Sequence, residues 1–286
     1  MTSTSDAPAH VQQVRLYYDN NSAAFERRGH GGASIHRAVW GPGVSTRDAA
    51  IHYVDELILA ALPTGTGQPT IVDLGCGLGA SLLYLAGRAD LVGEGLTISP
   101  WQASRAAELI AQAGLAHRVR CREGNYLAVP DDLAGRADLT FSIEAFLHSP
   151  DADRYFHQAA RTLRPGGTLI VCDDFLASPE PPSSARGVRW LEEFRSGWRV
   201  GSLLTVEQVR AMAAAHGLEL VRDLGLTAAL ELRRPRDRLV TAAVAVGRLV
   251  RPSGEYWQSL IGGNALQLAI VNKLVGYHFL ELRRTS

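Results

Sequence analysis

Hydrophobic and polar positions along the chain alternate between two rhythms. Short runs rich in β-branched and other apolar residues occupy 70–74, 91–96, 119–123, 138–143 and 168–173, and read as strands. Between several of them, residues 80–87, 100–114 and 151–163 carry apolar side chains at helical spacing. Alternating strands and helices predict an α/β fold whose sheet is mostly parallel, with helices on both faces. Ahead of this block, residues 11–26 are predicted helical, with Val11, Val14, Tyr18 and Phe25 among the apolar positions. The Gly29-His30-Gly31-Gly32 run breaks that helix, and residues 35–43 read as an ordered loop. Thr46 is placed to cap a helix reaching about residue 62, with Asp48 in its first turn. After residue 178 the pattern changes. Pro179, Pro181 and Pro182 mark an excursion from the sheet, and residues 184–200 are rich in arginine and tryptophan. Thr205 caps a helix to His216, which Gly217 ends. Residues 219–224 form a sixth strand, residues 228–272 a mostly helical lid, and residues 276–282 alternate as a last strand.

This divides the chain into an N-terminal helix and lid segment (1–44), a core (45–177), a pocket-forming excursion (178–204) and the rest of the core with its helical cap (205–286). With 286 residues there is enough chain for a full hydrophobic core. Basic and acidic residues number 29 each, so net charge gives no case for nucleic acid or an anionic membrane as partner. Cys76, Cys121 and Cys172 have no metal spacing, and their odd number argues against a disulfide framework. They read as buried thiols of a cytoplasmic protein. The opening residues are polar, unlike a secretory leader, and no apolar run reaches membrane-spanning length.

The chemistry concentrates in Asp73-Leu74-Gly75-Cys76-Gly77-Leu78-Gly79-Ala80, a strand that breaks into a glycine turn and opens a helix. Three glycines in five residues let the backbone pass close to a ligand. The spacing Gly75-x-Gly77-x-x-Ala80 also fits a dinucleotide fingerprint. Asp73 at the strand end suits a ligand carrying a positive group or hydroxyls better than a pyrophosphate. A tight turn holding no ligand is the third reading.

Asp73 ahead of Gly-x-Gly-x-Gly resembles motif I of the class I S-adenosylmethionine methyltransferases. The later Arg164-Pro165-Gly166-Gly167 turn into a buried strand resembles the same fold, over roughly residues 45–225. The resemblance implies a seven-stranded Rossmann-like sheet and S-adenosylmethionine as cofactor, held around Asp73, Gly75, Cys76, Gly77 and Gly79. Gly95-Leu96-Thr97-Ile98-Ser99-Pro100-Trp101-Gln102 is similar to the tocopherol methyltransferases and mycolic-acid cyclopropane synthases. It implies that Thr97 and Gln102 bond the ribose, with Ile98 beside them and Glu94 as a rival acid. Gly124-Asn125-Tyr126 would close over adenine.

Ser142-Ile143-Glu144-Ala145-Phe146-Leu147-His148 is similar to a segment of the sterol C-methyltransferases. Glu144 also takes the place of the presumed base of geranyl diphosphate C-methyltransferases, and Ser142 is implied on the cofactor side. Leu147 departs from the acid of the cyclopropane synthases. Tyr17-Tyr18-Asp19 and His36-Arg37-Ala38-Val39-Trp40 resemble the group's closing helix and loop, which would bring Tyr18 to the cofactor and Trp40 to the substrate. A homo-oligomer is compatible with that resemblance.

The implied reaction is methylation of an isoprenoid C=C bond through a carbocation, with Glu144 as first candidate for base and His148 as second. Trp190, Phe194 and Trp198 are four residues apart, on one helical face, and could stabilise a cation; ordinary core packing is the competing account. Phe175 joins them as a candidate substrate contact. Arg15, Arg27, Arg28, His30, His36 and Arg37 could grip a prenyl diphosphate or form a solvated face. No Asp-rich magnesium motif is evident and no metal is expected, so a neutral prenylated small molecule fits equally. O- or N-methyl transfer with His148 as base, and a non-catalytic cofactor-binding protein, are the alternatives.

Overall fold

β1 (Thr70–Leu74), β2 (Val92–Thr97), β4 (Ala137–Ile143) and β5 (Leu163–Leu176) are runs of mostly buried residues, β3 (Val119–Glu123) is the half-buried edge, and the five pair in parallel. β6 (Leu218–Gly225) and β7 (Val275–Arg284) complete one sheet of seven strands, ordered β3-β2-β1-β4-β5-β7-β6. β7 runs antiparallel to both its neighbours. The chain winds outward from β1 to β3 and then crosses to β4. The strand order therefore reverses between β1 and β4, where the carboxyl ends of open α/β sheets form a crevice. The computed structural model describes residues 7–28, 36–65, 67–250 and 254–285, with backbone alone for residues 7, 20–28, 248–250 and 255. The expected break at Gly29-His30-Gly31-Gly32, residue Ile35, and the side chains of Phe25, Arg27 and Arg28 lie outside the described residues.

Helices α1 (Ala7–Arg28), α2 (Arg47–Ile51), α3 (Tyr53–Ala60), α4 (Ala80–Ala86), α5 (Pro100–Gln112), α6 (Ala152–Thr162), α7 (Ala185–Gly197), α8 (Val206–Ala214), α9 (Pro235–Val250) and α10 (Glu255–Val271) follow the predicted order. Side-chain caps start several of them. Ser99 accepts the Gln102 N–H, Asp151 the Arg154 N–H, and Thr205 with Gln208 forms a reciprocal capping box. Two expectations need correction. The helix expected from Thr46 to about residue 62 is two helices. His52 leaves helical geometry (φ −93, ψ 8) where its Nδ1 meets Asp55 at 2.7 Å and its ring stacks on Tyr84 at 3.8 Å. Arg164-Pro165-Gly166-Gly167 is not a turn ahead of the strand but lies within β5. The register jumps from Ala137↔Leu163 to Leu139↔Thr168, so the run is extruded as a bulge around Gly166 (φ 74).

The core lies on both faces of the sheet. Ile71, Leu139, Phe141 and Ile170 pack with Leu82, Leu85 and Ile58 on one face. Val72, Leu74, Leu169 and Val171 pack with Phe146, Tyr155 and Phe156 on the other. Burying each such side chain contributes about 1.5–3 kcal/mol before entropy is counted. A third cluster, around Leu147, Phe194, Ala265 and Ala269, ties α7 and α10 to the C-terminal edge of the sheet. The two helices meet at Gly197, where a Cβ would fall 2.5 Å from the Gln258 carbonyl oxygen. No helix among the described residues is long and apolar enough to cross a membrane.

Candidate active site

The glycine loop after β1 is fixed from β2. The N–H groups of Gly75 and Cys76 both donate to the Leu96 carbonyl at 2.9 Å. Gly75, Gly77 and Gly79 all have positive φ (102, 53 and 75), conformations that L side chains rarely adopt. A Cβ on Gly75 would strike Ala145 at 2.4 Å, whereas one on Gly77 would meet no atom within 4 Å. The open side of Gly77 is a chamber of about 250 Å³ at the C-terminal edge of β1, β2 and β4.

Most of the predicted cofactor residues line this chamber: Tyr18, Gly75, Cys76, Gly77, Thr97, Ile98, Gln102, Gly124, Asn125 and Tyr126, joined by Glu144, His148 and Trp198. Thr97 and Gln102 are buried and in contact, the Thr97 hydroxyl donating to Gln102 Oε1 at 2.6 Å. Asp73 sits just below the wall, 4% exposed, and among the described residues no hydrogen bond or ion pair reaches it. Burial and then the nearby Asp55 charge push its carboxyl well above its usual range. A ligand ammonium beside it would offset both effects, so the donor set suits the amino-acid end of S-adenosylmethionine. Glu94 is outside the chamber, facing Arg122.

Several expected contacts are not brought to the chamber. Gly79 caps α4 beneath it. Ser142 is fully buried and bonded to the Tyr155 hydroxyl at 2.6 Å, because it points into the core face of β4. Phe175 is buried between Phe146 and His278. Trp190 and Phe194 pack in the α7–α10 cluster, and only Trp198 of that stripe reaches a cavity. Trp40 is held by its backbone N–H on the Ala229 carbonyl and does not line the chamber.

Glu144 follows β4 in the left-handed region (φ 51), an uncommon conformation for a residue with a side chain. Its carboxylate is 14% exposed and meets three donors, all at Oε1: the Arg37 backbone N–H (3.1 Å), Arg37 Nε (3.3 Å) and the Tyr277 hydroxyl (3.0 Å). Arg37 also forks onto Asp174 at 2.9 and 2.6 Å, with its guanidinium 4.3 Å from the centre of the Tyr277 ring. Burial pushes the Glu144 carboxyl up, but Arg37, His36, the Arg37 backbone and Tyr277 together hold it below its usual value. Burial likewise works against the Arg37 charge, which Asp174 and Glu144 more than restore.

His148 is different. Its Nε2 meets the Tyr18 hydroxyl at 2.9 Å, and burial lowers it to about 4, so the ring is neutral at ordinary pH. Tyr18 belongs to α1, which closes one side of the chamber. Tyr17 bonds Ser259 at 2.9 Å, His10 the His148 carbonyl at 3.2 Å, and Ser99 donates to Asp19. Arg15 pairs with Glu123 at 3.4 Å. His157, by contrast, is exposed on α6.

A second chamber of about 530 Å³ lies between the segment at 36–38, α9 and α10. His36, Trp198 and Ser259 line both chambers, and Arg37 belongs to the wall of the second. Sequence reasoning did not find Asp174, Ser259, Asn264 or Tyr277. The Asp173-Asp174 pair at the end of a buried strand was a signal for the first, and the alternation of β7 for the last.

Residues 46–223 match the methyltransferase domain family, well over half of the chain. The chain belongs to that family, and its cofactor is S-adenosylmethionine. It is 31% identical over 172 residues to a probable chloroplastic tocopherol O-methyltransferase of Oryza sativa (57% of this chain, 47% of that one). It is 28% identical over 196 residues to the 24-methylenesterol C-methyltransferase 2 of the same plant (68% and 53%). The chain thus spans about half the length of these relatives. The fold superposes on a geranyl diphosphate C-methyltransferase from Streptomyces coelicolor with TM-score 0.67 at 16% identity, covering 96% of this chain and 98% of the other.

Proposed function

We propose that this chain is a C-methyltransferase acting on a C=C bond of an isoprenoid small molecule, through a carbocation. The observation that carries the reading is Glu144, a carboxylate held in its charged form where the two chambers meet the Arg37 segment. S-adenosylmethionine, when bound, supplies the electrophilic methyl group. The chain's own residues have three tasks. Trp198, His36 and Ser259, at the junction, orient the acceptor toward the first chamber. The faces of Tyr18, Tyr126 and Trp198 favour a positive charge developing between them. Glu144 takes the proton that restores a double bond, at Oε2, since its three donors all sit on Oε1.

The strength of the base discriminates between reactions. A carboxylate held below its usual pKa is a poor base for a phenol of pKa about 10, but ample for a C–H bond next to a carbocation. His148, the base an O- or N-methyltransferase would use, is neutral, but it is only weakly basic and its Nε2 is engaged by Tyr18. O- or N-methyl transfer remains the second reading, favoured by the name of the tocopherol O-methyltransferase of Oryza sativa. The test is methyl-labelled S-adenosylmethionine offered with geranyl diphosphate, isopentenyl diphosphate, a geranylated indole and simple phenols, read by mass spectrometry. Label on an isoprenoid carbon supports the proposal; label on phenolic oxygen alone replaces it with the second reading.

A further inference from the structure

Most of the charge lining the second chamber is already matched. Its arginines are Arg37, Arg47, Arg234 and Arg236. Arg37 is taken by Glu144 and Asp174, and Arg234 by Asp237 (3.1 Å) and Glu231 (3.1 Å), with Arg47 3.8 Å from Glu231. Arg236 is exposed at the rim. Three of the four guanidinium groups are thus held by the carboxylates Glu144, Asp174, Glu231 and Asp237, and Arg236 at the rim is the fourth. An entering diphosphate would have to compete with carboxylates already in place.

What the chamber leaves unmatched in its buried interior is neutral. Asn264, on α10, lines it and is 5% exposed. Its Oδ1 receives the Thr241 hydroxyl at 2.7 Å, and its Nδ2 has no partner among the described residues. With the amide turned over, the carbonyl oxygen would be the unmatched atom, so in either orientation one strong hydrogen-bonding atom awaits a partner. Buried polar groups of native proteins are rarely left in that condition. His36 Nδ1, at the junction of the chambers, is a second such atom. Next to Asn264, Gly263 leaves room, since a Cβ there would first meet Trp198 at 3.6 Å.

We infer that the second chamber takes an uncharged amphiphile, an isoprenoid chain bearing a hydroxyl, carbonyl or N–H group, and that Asn264 recognises that polar group. The inference rests on the reading that this chamber holds the methyl acceptor. Equilibrium binding to the protein saturated with S-adenosylhomocysteine tests it without requiring methyl transfer. The probes are geraniol, its deoxygenated hydrocarbon 2,6-dimethyl-2,6-octadiene, and geranyl diphosphate, followed by intrinsic tryptophan fluorescence and calorimetry. Geraniol is expected to bind more tightly than geranyl diphosphate. Asn264→Leu should weaken geraniol roughly tenfold, the loss of one buried hydrogen bond, and change the hydrocarbon less than twofold. S-Adenosylhomocysteine affinity should be unchanged. Thr241→Val, which frees the amide without altering its chemistry, should reduce the preference for geraniol over the hydrocarbon and serves if Asn264→Leu does not fold. Tighter binding of the diphosphate, equal binding of geraniol by wild type and variant, or no binding of geraniol overturns the inference. Asn264-dependent binding with no methyl group delivered to carbon would leave it standing and remove the proposed reaction instead.

Discussion

Replacing Glu144 by Gln changes charge and little else. The amide keeps an oxygen for the Tyr277 hydroxyl and the Arg37 N–H, so the three donors that now converge on Oε1 retain an acceptor. Arg37 keeps its two-pronged contact with Asp174, so the 36–40 segment should stay docked. Loss of a charged hydrogen-bond partner is expected to cost about 1–3 kcal/mol of stability. A positioned general base contributes typically 10²–10⁴-fold, so turnover should fall by about that factor, or about 3–5.5 kcal/mol in the barrier. S-Adenosylmethionine binding should change less than about threefold, because the glycine loop, Thr97 and Gln102 are untouched. Single-turnover experiments with methyl-labelled cofactor would separate the steps. If Glu144 acts after methyl transfer, the label still reaches carbon, and the product becomes an alcohol or a displaced alkene. Acidity gives an independent check. The folded pKa lies below the ordinary 4.5, so the stabilisation from the charged carboxylate is complete above that value and disappears as pH falls through the folded pKa. The acid limb of wild-type turnover belongs below pH 4.5. An acid limb near pH 6.5, or unchanged rate and product in Glu144→Gln, would refute the assignment.

Three smaller perturbations probe the walls. Gly77→Ala places a methyl group in the first chamber on a backbone at φ 53, and should weaken cofactor affinity at least tenfold by calorimetry while lowering stability by about 1 kcal/mol; unchanged affinity would mean that the cofactor does not approach this glycine. Tyr18→Phe removes the hydroxyl on His148 Nε2 and should leave the methyl-transfer product unaltered, with faster proteolysis of α1; a gain of phenol methylation would instead reveal His148 as a base. Trp198→Ala should abolish most activity with a loss of about 2–4 kcal/mol on thermal unfolding, since the ring lines both chambers and also packs on the α7–α10 cluster; full activity in a folded variant would exclude the ring from the acceptor path.

The fold was legible where local chemistry and periodicity agreed. β1 and β3 match their predicted limits because β1 is a short, mostly apolar run and β3 alternates buried Val119 and Cys121 with charged residues, and a glycine follows each strand. The caps Ser99, Asp151 and Thr205 start α5, α6 and α8. Where tertiary contacts decided, the pattern was insufficient. The break at His52 depends on the stacking of Tyr84 from another helix. The bulge at residues 164–167 depends on how far β4 and β5 slip past each other, which no single-strand pattern records. Of the Trp190, Phe194 and Trp198 stripe, the first two lie in α7 and pack in the α7–α10 cluster, while Trp198 is the residue that caps α7 and lines both chambers.

The site shows the same division, and Arg37 is its sharpest case. Motif I and the residues after β2 could be recognised because a glycine turn and a strand end are local structures. Arg37 meets Glu144 across 107 residues and Asp174 across 137, and the sequence grouped it with its basic neighbours as a grip for phosphates or a solvated face. In the folded protein its guanidinium is already engaged by two carboxylates and lies over Tyr277. That reverses its chemical meaning. An arginine saturated by carboxylates is a poor anion receptor, but it lowers the energy of the carboxylate beside it. Arg37 is the largest of the contacts that oppose the upward push of burial on Glu144, ahead of His36 and Tyr277. The segment carrying Arg37 also carries His36, which joins the two chambers. One short segment therefore both walls the junction of the two chambers and supplies the cation that favours the charged form of Glu144.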